Sequence, residues 1–232
     1  MSGADRAKQA AAEAAAKLVE SGMRVGIGSG STVRHLIVAL GRRVRTQGLR
    51  LVGIPTSTET EALALTQGIT LAEPDETPLD LAIDGADEVE RGTLRLIKGL
   101  GGALLREKIV AQAARRFVII ADASKVVETL GDHAPLPVEV ARFGHAATAH
   151  RIASLGGRPV LRRAQGEATF ITDGGNVIYD CPGFAPIRDP FTLARDLRAI
   201  AGVVETGLFP DHVERALIGT CDGAVTVLER AA

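Results

Sequence analysis

The chain has 232 residues, 46% hydrophobic and 24% charged, a globular mixture that excludes a disordered or collagen-like protein. Lys and Arg number 27 against 28 Asp and Glu, a formal net charge of −1, so the basic excess that marks nucleic-acid binding is missing. Aromatic residues are only 3%, with no Trp, so the core must be built from Leu, Ile, Val and Ala, as suits strands covered on both faces.

From the N-terminus, residues 4–21 place Ala7, Ala11, Ala14, Leu18 and Val19 at helical spacing, with Gly22 as the stop. Asp5, Arg6, Lys8, Glu13, Lys17 and Glu20 interrupt this segment, so it fits neither a secretory signal nor a transit peptide. Met23 to Ile27 is a buried strand running into Gly28-Ser29-Gly30-Ser31-Thr32, and Val33, Leu36, Ile37 and Leu40 mark a helix closed by Gly41. Leu49 to Ile54 is the next strand, and Thr58-Glu59-Thr60-Glu61 has the form of a capping box for a helix to about Gln67. A short strand, Ile69 to Leu71, precedes a turn-rich stretch from Glu73 to Pro78. Leu79 to Ile83 is a strand ending in Asp84-Gly85-Ala86-Asp87, and Leu94 to Ile97 is another, ending in Lys98-Gly99-Leu100-Gly101-Gly102. A helix over about 103–115, with Leu104, Leu105, Ile109 and Ala113 as its buried stripe, leads into a strand over 117–121. This alternation predicts a doubly wound, mostly parallel, Rossmann-like α/β sheet.

Near residue 130 the pattern changes. Short strands are predicted at 136–140, 159–161, 169–172 and 176–179, with Asp173-Gly174-Gly175 as a hairpin turn between the last two. Helices are predicted over 146–155 and 190–200, the second with Asp189 as N-cap and Pro190 in its first turn. The segment 131–206 is therefore expected to be a smaller α+β domain. Residues 216–218 and 224–228 flank Cys221-Asp222-Gly223 as a further hairpin, and this tail is expected to rejoin the first domain, giving 1–130 plus 207–232. Cys181 and Cys221 lack metal-ligand spacing and read as free thiols of a reducing compartment. No uncharged apolar run is long enough to cross a bilayer, so a soluble cytoplasmic protein without a membrane partner is expected.

Ligands of open α/β sheets bind beyond the carboxyl ends of the strands, and polar or glycine-rich sequences follow several strands here. The 28–32 loop offers backbone and hydroxyl donors at a helix start, which suits a phosphate, although a capped strand-to-helix turn explains it equally well. A dinucleotide fingerprint fails because position 31 is Ser, and the Gly-Lys-Ser/Thr of nucleotide hydrolases is absent. Asp84 and Asp87 place two carboxylates in one turn, an arrangement that ordinary turns also produce. Lys98 sits at a strand end before a glycine-rich backbone, while Arg106-Glu107-Lys108 taken alone reads as an exposed charge run. Lys125, after the strand at 117–121, is either a phosphate donor or a surface residue. His35, His133, His145, His150 and His212 form no ligand-spaced cluster, so no metal is expected.

Taken together, GIGSGSTV (26–33), IPTSTET (54–60), LDLAIDGADEV (79–89), LIKGLGGALLREKIVA (96–111), ADASKVV (121–127) and LPVEV (136–140) resemble type A ribose-5-phosphate isomerase. GGRP (156–159), TDGGNVIYD (172–180), GVVETGLF (202–209) and ALIGT (216–220) extend the resemblance over nearly the full length. It implies an aldose–ketose isomerase of the pentose phosphate pathway that interconverts D-ribose 5-phosphate and D-ribulose 5-phosphate with neither cofactor nor metal. It maps the family's base onto Glu107, its polarising aspartate and lysine onto Asp84 and Lys98, and its second aspartate onto Asp87. The resemblance also assigns Ser29, Gly30, Ser31, Thr32, Gly85, Ala86, Gly99, Leu100, Gly101, Lys125 and Lys8 to substrate binding. Ser29 stands where many members have Thr, and Leu100 interrupts the family's glycine run. A homodimer or dimer of dimers, through the 131–206 unit, is the implied assembly.

The chemistry of the residues agrees. Moving a carbonyl from C1 to C2 needs one group that takes a proton from C2 and returns it to C1, and a single carboxylate above a planar enediolate does both. Lys98 is a donor for the charge that grows on the oxygens. Two rivals are a non-catalytic sugar-phosphate sensor, which normally carries a DNA-binding segment, and an acyl-CoA transferase-like enzyme, which needs a nucleophilic glutamate in its own motif. Turnover of ribose 5-phosphate separates all three.

Overall fold

A computed structural model describes residues 2–209 and 211–231. Its helices are α1 (Gly3–Ala16), α2 (Ser31–Gln47), α3 (Thr58–Thr66), α4 (Leu104–Ala113), α5 (His145–Ser154) and α6 (Pro190–Arg198). The strands are β1 (Arg24–Ile27), β2 (Val52–Pro55), β3 (Thr70–Leu71), β4 (Leu81–Asp84), β5 (Glu88–Glu90), β6 (Leu96–Ile97), β7 (Phe117–Asp122) and β8 (Val126–Val127). They continue with β9 (Leu136–Val140), β10 (Val160–Leu161), β11 (Val177–Cys181), β12 (Val203–Thr206), β13 (Leu208–Phe209), β14 (Val213–Gly219) and β15 (Val225–Glu229).

Seven strands form the main sheet in the order β15-β14-β7-β4-β1-β2-β3, parallel throughout except for β15. Side chains of a strand alternate between its faces, and β7 uses both. Val118 and Ile120 join α1 and α2 in one buried cluster, whereas Phe117, Ile119 and Ala121 join Val110 and Ala111 of α4 in another. Helices thus cover both faces, and each fully buried aliphatic side chain contributes about 1.5–3 kcal/mol relative to exposure. The chain winds outward through β1, β2 and β3 and then returns to place β4 on the other side of β1. That switch point opens a crevice between the loops after β1 and β4.

Two four-stranded sheets complete the fold. The order β10-β11-β9-β12, antiparallel throughout, packs with α5 and α6 around a third core that includes Val138, Ile152, Tyr179 and Leu197. The order β13-β6-β5-β8 is built from pieces of two or three residues. Its strands leave the turn at Asp87, lead into Lys98, follow Lys125 and follow Gly207, so this small sheet gathers those loops at the carboxyl edge of the main one.

Several elements depart from the sequence reading. Helix α1 ends at Ala16 rather than near residue 21, because the Arg43 guanidinium takes the carbonyls of Ala16 and Val19. Gly41 does not close α2; it is a helix-interior residue whose missing Cβ lets Gln67 approach, and Gly48, at φ 65°, is the cap. The capping box gives way to Ser57, whose hydroxyl accepts the Thr60 amide. Residues 169–172 make single bridges, Thr169 to Arg163 and Ile171 to Val177, instead of a strand. Within 94–97 only Leu96 and Ile97 are strand; Leu94 turns the chain at φ 56° after β5, which was not anticipated.

Candidate active site

The crevice at the switch point narrows to a polar cavity of about 140 Å³ lined by Lys8, the 29–32 loop, Gly85 to Asp87, Lys98, Gly99, Gly101, Glu107 and Lys125. Glycine at position 28 makes this possible, because a Cβ there would lie 1.9 Å from Asp84 Oδ1. In its place the Asp84 carboxylate closes over the loop and accepts the amides of Ser29 at 3.1 Å and Gly85 at 2.7 Å. Larger clefts lie elsewhere, one of about 420 Å³ beside Pro55, Leu71 and Ile109, but they lack a comparable concentration of charge.

Lys98 is the centre of the site. Its ammonium lies 2.9 Å from Asp84 Oδ2 and 3.3 Å from Glu107 Oε1, and it donates to the Gly85 carbonyl. All three side chains are almost wholly excluded from solvent, at 2%, 4% and 6% exposure. The trio carries one more carboxylate than it has cations, so a proton is favoured on one of them. Asp84 has both oxygens satisfied, by two amides and the ammonium. Glu107 Oε2 is buried without a hydrogen-bond partner. The proton therefore belongs on Glu107: burial and the neighbouring Asp84 charge, opposed by Lys98, push its carboxyl up to about 8. Burial also raises Asp84, against the pull of Lys98 and the two amides. Burial draws the Lys98 ammonium down, but Asp84 and Glu107 more than reverse this and hold it above the ordinary lysine value.

The expected buried stripe of α4 is wrong. Ile109 is exposed, and the inward face is Leu104, Glu107, Lys108 and Ala111, the i, i+3, i+4, i+7 spacing with two charges on it. Each charge has a partner inside. Lys108 is not part of an exposed run: its ammonium donates to Glu205 at 2.9 Å and to the Thr206 carbonyl at 2.6 Å, over the Phe209 ring. Binary patterning leaves Glu107 at the edge of the apolar stripe and Lys108 outside it, and their partners bring both charges in.

The other sequence-derived candidates fall in two groups. Lys8 on α1 donates to Ser31 Oγ at 3.0 Å, and Lys125 closes the opposite rim from the turn after β7. Gly30 precedes α2 with no side chain to cap it, so the helix start faces the cavity with its amides available. Asp87 lines the cavity and accepts the Leu100 amide at 2.9 Å. Asp84 and Leu100 do not line it: Asp84 stands behind Lys98, and the Leu100 side chain points to solvent. The Ser29 hydroxyl turns toward α3, where it bonds Thr56 at 2.7 Å and Ser57 at 2.8 Å. Thr56, Ser57 and Thr60 thus form a hydroxyl cluster under the loop.

The model of the family ribose 5-phosphate isomerase A (phosphoriboisomerase A) matches residues 52–223. A ribose-5-phosphate isomerase A of Gluconobacter oxydans is 52% identical over 96% of this chain and 97% of its own. The solved enzyme of Methanocaldococcus jannaschii superposes with a TM-score of 0.91 at 42% identity, covering 96% of this chain and 98% of that one. A D-ribose-5-phosphate isomerase solved in complex with phospho-erythronic acid gives a TM-score of 0.91 at 36% identity over 96% and 97% of the two chains.

Proposed function

The chain belongs to the ribose-5-phosphate isomerase A family, and we propose that the cleft at its switch point carries out that family's reaction with Glu107 as the proton carrier. The enzyme interconverts D-ribose 5-phosphate and D-ribulose 5-phosphate. The observation that carries the residue assignment is the buried Glu107 oxygen with no partner, beside a lysine that is itself held by a second carboxylate.

In this reading the open-chain aldose lies with its phosphate on the Ser31–Thr32 helix start between Lys8 and Lys125. Its C1–C2 edge lies against Glu107. Glu107 takes the C2 proton, the electron pair forms the C1–C2 double bond, and negative charge gathers on O1. Lys98 donates to that oxygen in a site sheltered from water. Glu107 then returns its proton to C1 as the O2 proton passes to O1, so that C2 becomes the carbonyl and O1 the hydroxyl. A carboxyl near 8 suits this role, because a base and acid used in turn works best with a pKa close to the working pH. Asp84 holds Lys98 in place, while Asp87, which lines the cavity, is the carboxylate placed to accept sugar hydroxyls. Phospho-erythronic acid fits the same scheme: its planar carboxylate has the shape of the enediolate end, and its phosphate is the other anchor.

A non-catalytic sensor would need the phosphate cradle but not a buried lysine between two carboxylates, which costs desolvation and serves binding poorly. We also propose the division into 1–130 plus 207–232 and 131–206, and a cytoplasmic homodimer or dimer of dimers through the latter unit, where Phe143 stands 97% exposed. Light scattering on the purified protein tests the assembly. The catalytic assignment is tested by turnover of ribose 5-phosphate in tritiated water, where label should reach C1 of the ketose to the extent that the proton on Glu107 exchanges before its return, and label there excludes a direct hydride shift. A folded Glu107→Gln protein that still introduces solvent hydrogen at C1 at the wild-type rate would remove Glu107 from its role.

A further inference from the structure

The Lys98–Gly102 loop, which forms one wall of the cavity, is held from outside by a residue of the β10-β11-β9-β12 unit. Arg162, just after β10, donates from Nη1 to the carbonyls of Gly99 at 2.9 Å and Leu100 at 3.0 Å. Its Nε donates to Asp180 Oδ2 at 2.9 Å and its Nη2 to Asp180 Oδ1, so the guanidinium plane is fixed by a carboxylate on β11. The Phe170 ring lies 5.7 Å from that guanidinium and also covers Gly102, where a Cβ would come within 2.4 Å of it.

At its start the loop is tied by the Lys98 amide on the Gly207 carbonyl, and on its inner side the Leu100 amide bonds Asp87 and the Gly102 amide the Gly99 carbonyl. Gly99 and Gly102 adopt φ 108° and 86°, whereas Leu100 has no positive φ. This is why a leucine is tolerated inside the glycine run: its side chain leaves toward solvent while both of its peptide groups stay clamped. A flexible glycine-rich segment keeps one shape only if something outside it fixes that shape, and here a forked donor with partners on both sides does so.

We infer that Arg162 is a positioning residue of the active site, through which the second unit sets the Gly99–Gly101 backbone against the bound sugar phosphate. The inference rests on the isomerase reading above. Lys98 is held independently, by Asp84, Glu107 and the Gly85 carbonyl, so loss of Arg162 should affect substrate binding more than the proton transfers.

Arg162→Met should raise KM for ribose 5-phosphate roughly tenfold or more, with a smaller change in kcat, as expected for loss of charged hydrogen bonds. Arg162→Lys keeps stem and charge but presents a single point donor, and should also raise KM. Arg163→Met, its exposed neighbour, is the control. Hydrogen exchange of the Leu100 and Gly102 amides, measured without substrate, should accelerate in both Arg162 variants and not in the control. That readout stands even if the substrate assignment fails, in which case wild type itself would not turn over ribose 5-phosphate. A folded Arg162→Met protein with KM within about twofold of wild type, a fall in kcat at constant KM, or unchanged protection of both amides would each overturn the inference.

Discussion

The Lys98 ammonium lies 3.3 Å from one oxygen of Glu107 and 2.9 Å from Asp84, while the second Glu107 oxygen is buried with no hydrogen-bond partner. Two carboxylates and one lysine make a group with one charge too many for its surroundings. Asp84 is satisfied on both oxygens, so the instability is concentrated on Glu107. An unpaired buried oxygen costs stability, and here it belongs to a carboxylate that lines the polar cavity. The local conflict marks the site more sharply than any sequence motif does.

Glu107→Gln keeps the shape and removes the ability to accept a proton, so kcat should fall about 10²–10⁴-fold. Binding of phospho-erythronic acid should survive. Exposed Gln112, on the same helix, replaced by Ala supplies the silent control. A folded Glu107→Gln enzyme turning over ribose 5-phosphate within a few-fold of wild type would remove Glu107 from the mechanism.

The same substitution should stabilise the fold, and the gain should depend on pH. Glu107 titrates near 4.5 in the unfolded chain and near 8 in the folded one, so between these values the native state holds the extra proton. Wild-type stability therefore declines as pH rises through that window, and glutamine has no such slope. Melting temperatures of the two proteins should be close near pH 4.5 and should diverge in favour of the variant toward pH 8.5. Parallel curves would mean that Glu107 is not raised.

Activity should carry the matching signature. The base must be ionised to take the C2 proton, so kcat/KM should rise with pH along a one-proton limb with its midpoint near 8. A midpoint near 4.5 would show that Lys98 wins over burial and that the proton sits elsewhere.

Lys108 is a structural tie. Burial pulls its ammonium down to about 8 against the pull of Glu205, and removing one member of a buried pair typically costs about 3–5 kcal/mol. Lys108→Met should thus lower Tm by on the order of 10 °C, at roughly 2–4 °C per kcal/mol for a chain of this size. Adding Glu205→Gln should recover much of the loss, because the amide oxygen can still accept the Thr206 amide that now bonds Glu205 at 2.7 Å. Calorimetry of the single and double variants decides it; additive losses would mean the two side chains are not coupled.

Much of this was readable from residue types and spacing, and the failures share a cause. Alternating strands and helices located the main sheet, and the ordered motifs named Glu107, Lys98 and the 29–32 loop, which the structure brings to one cavity. Strands β5 and β8 were missed because two or three residues carry no period of their own; they exist only because Asp87, Lys98 and Lys125 bring their neighbours together. Lys108 was misplaced for the same reason, since its burial is decided by Glu205 and Thr206, far away in sequence. Arg162 gave no local signal at all: an arginine between short strands looks like any surface cation until its carbonyl partners are known.

The phosphate cradle makes the last prediction. Thr32 is 9% exposed and lines the cavity in the first turn of α2, where the preceding Gly30 leaves the helix start without a side-chain cap. Free amides and the positive end of the helix dipole both favour a dianion there, and Lys8 and Lys125 add two cations from other elements. Thr32→Val removes the hydroxyl and keeps the volume. Losing one hydrogen bond to a charged group should raise KM for ribose 5-phosphate roughly tenfold or more while kcat changes less, because C1 and C2 react at the far end of the sugar. Unphosphorylated ribose should be a poor substrate for wild type and should be insensitive to Thr32→Val, since it has nothing to place on the loop. Equal loss of kcat/KM for both sugars would show that Thr32 shapes the cavity as a whole, and comparable use of ribose and ribose 5-phosphate by wild type would show that the loop is only a turn.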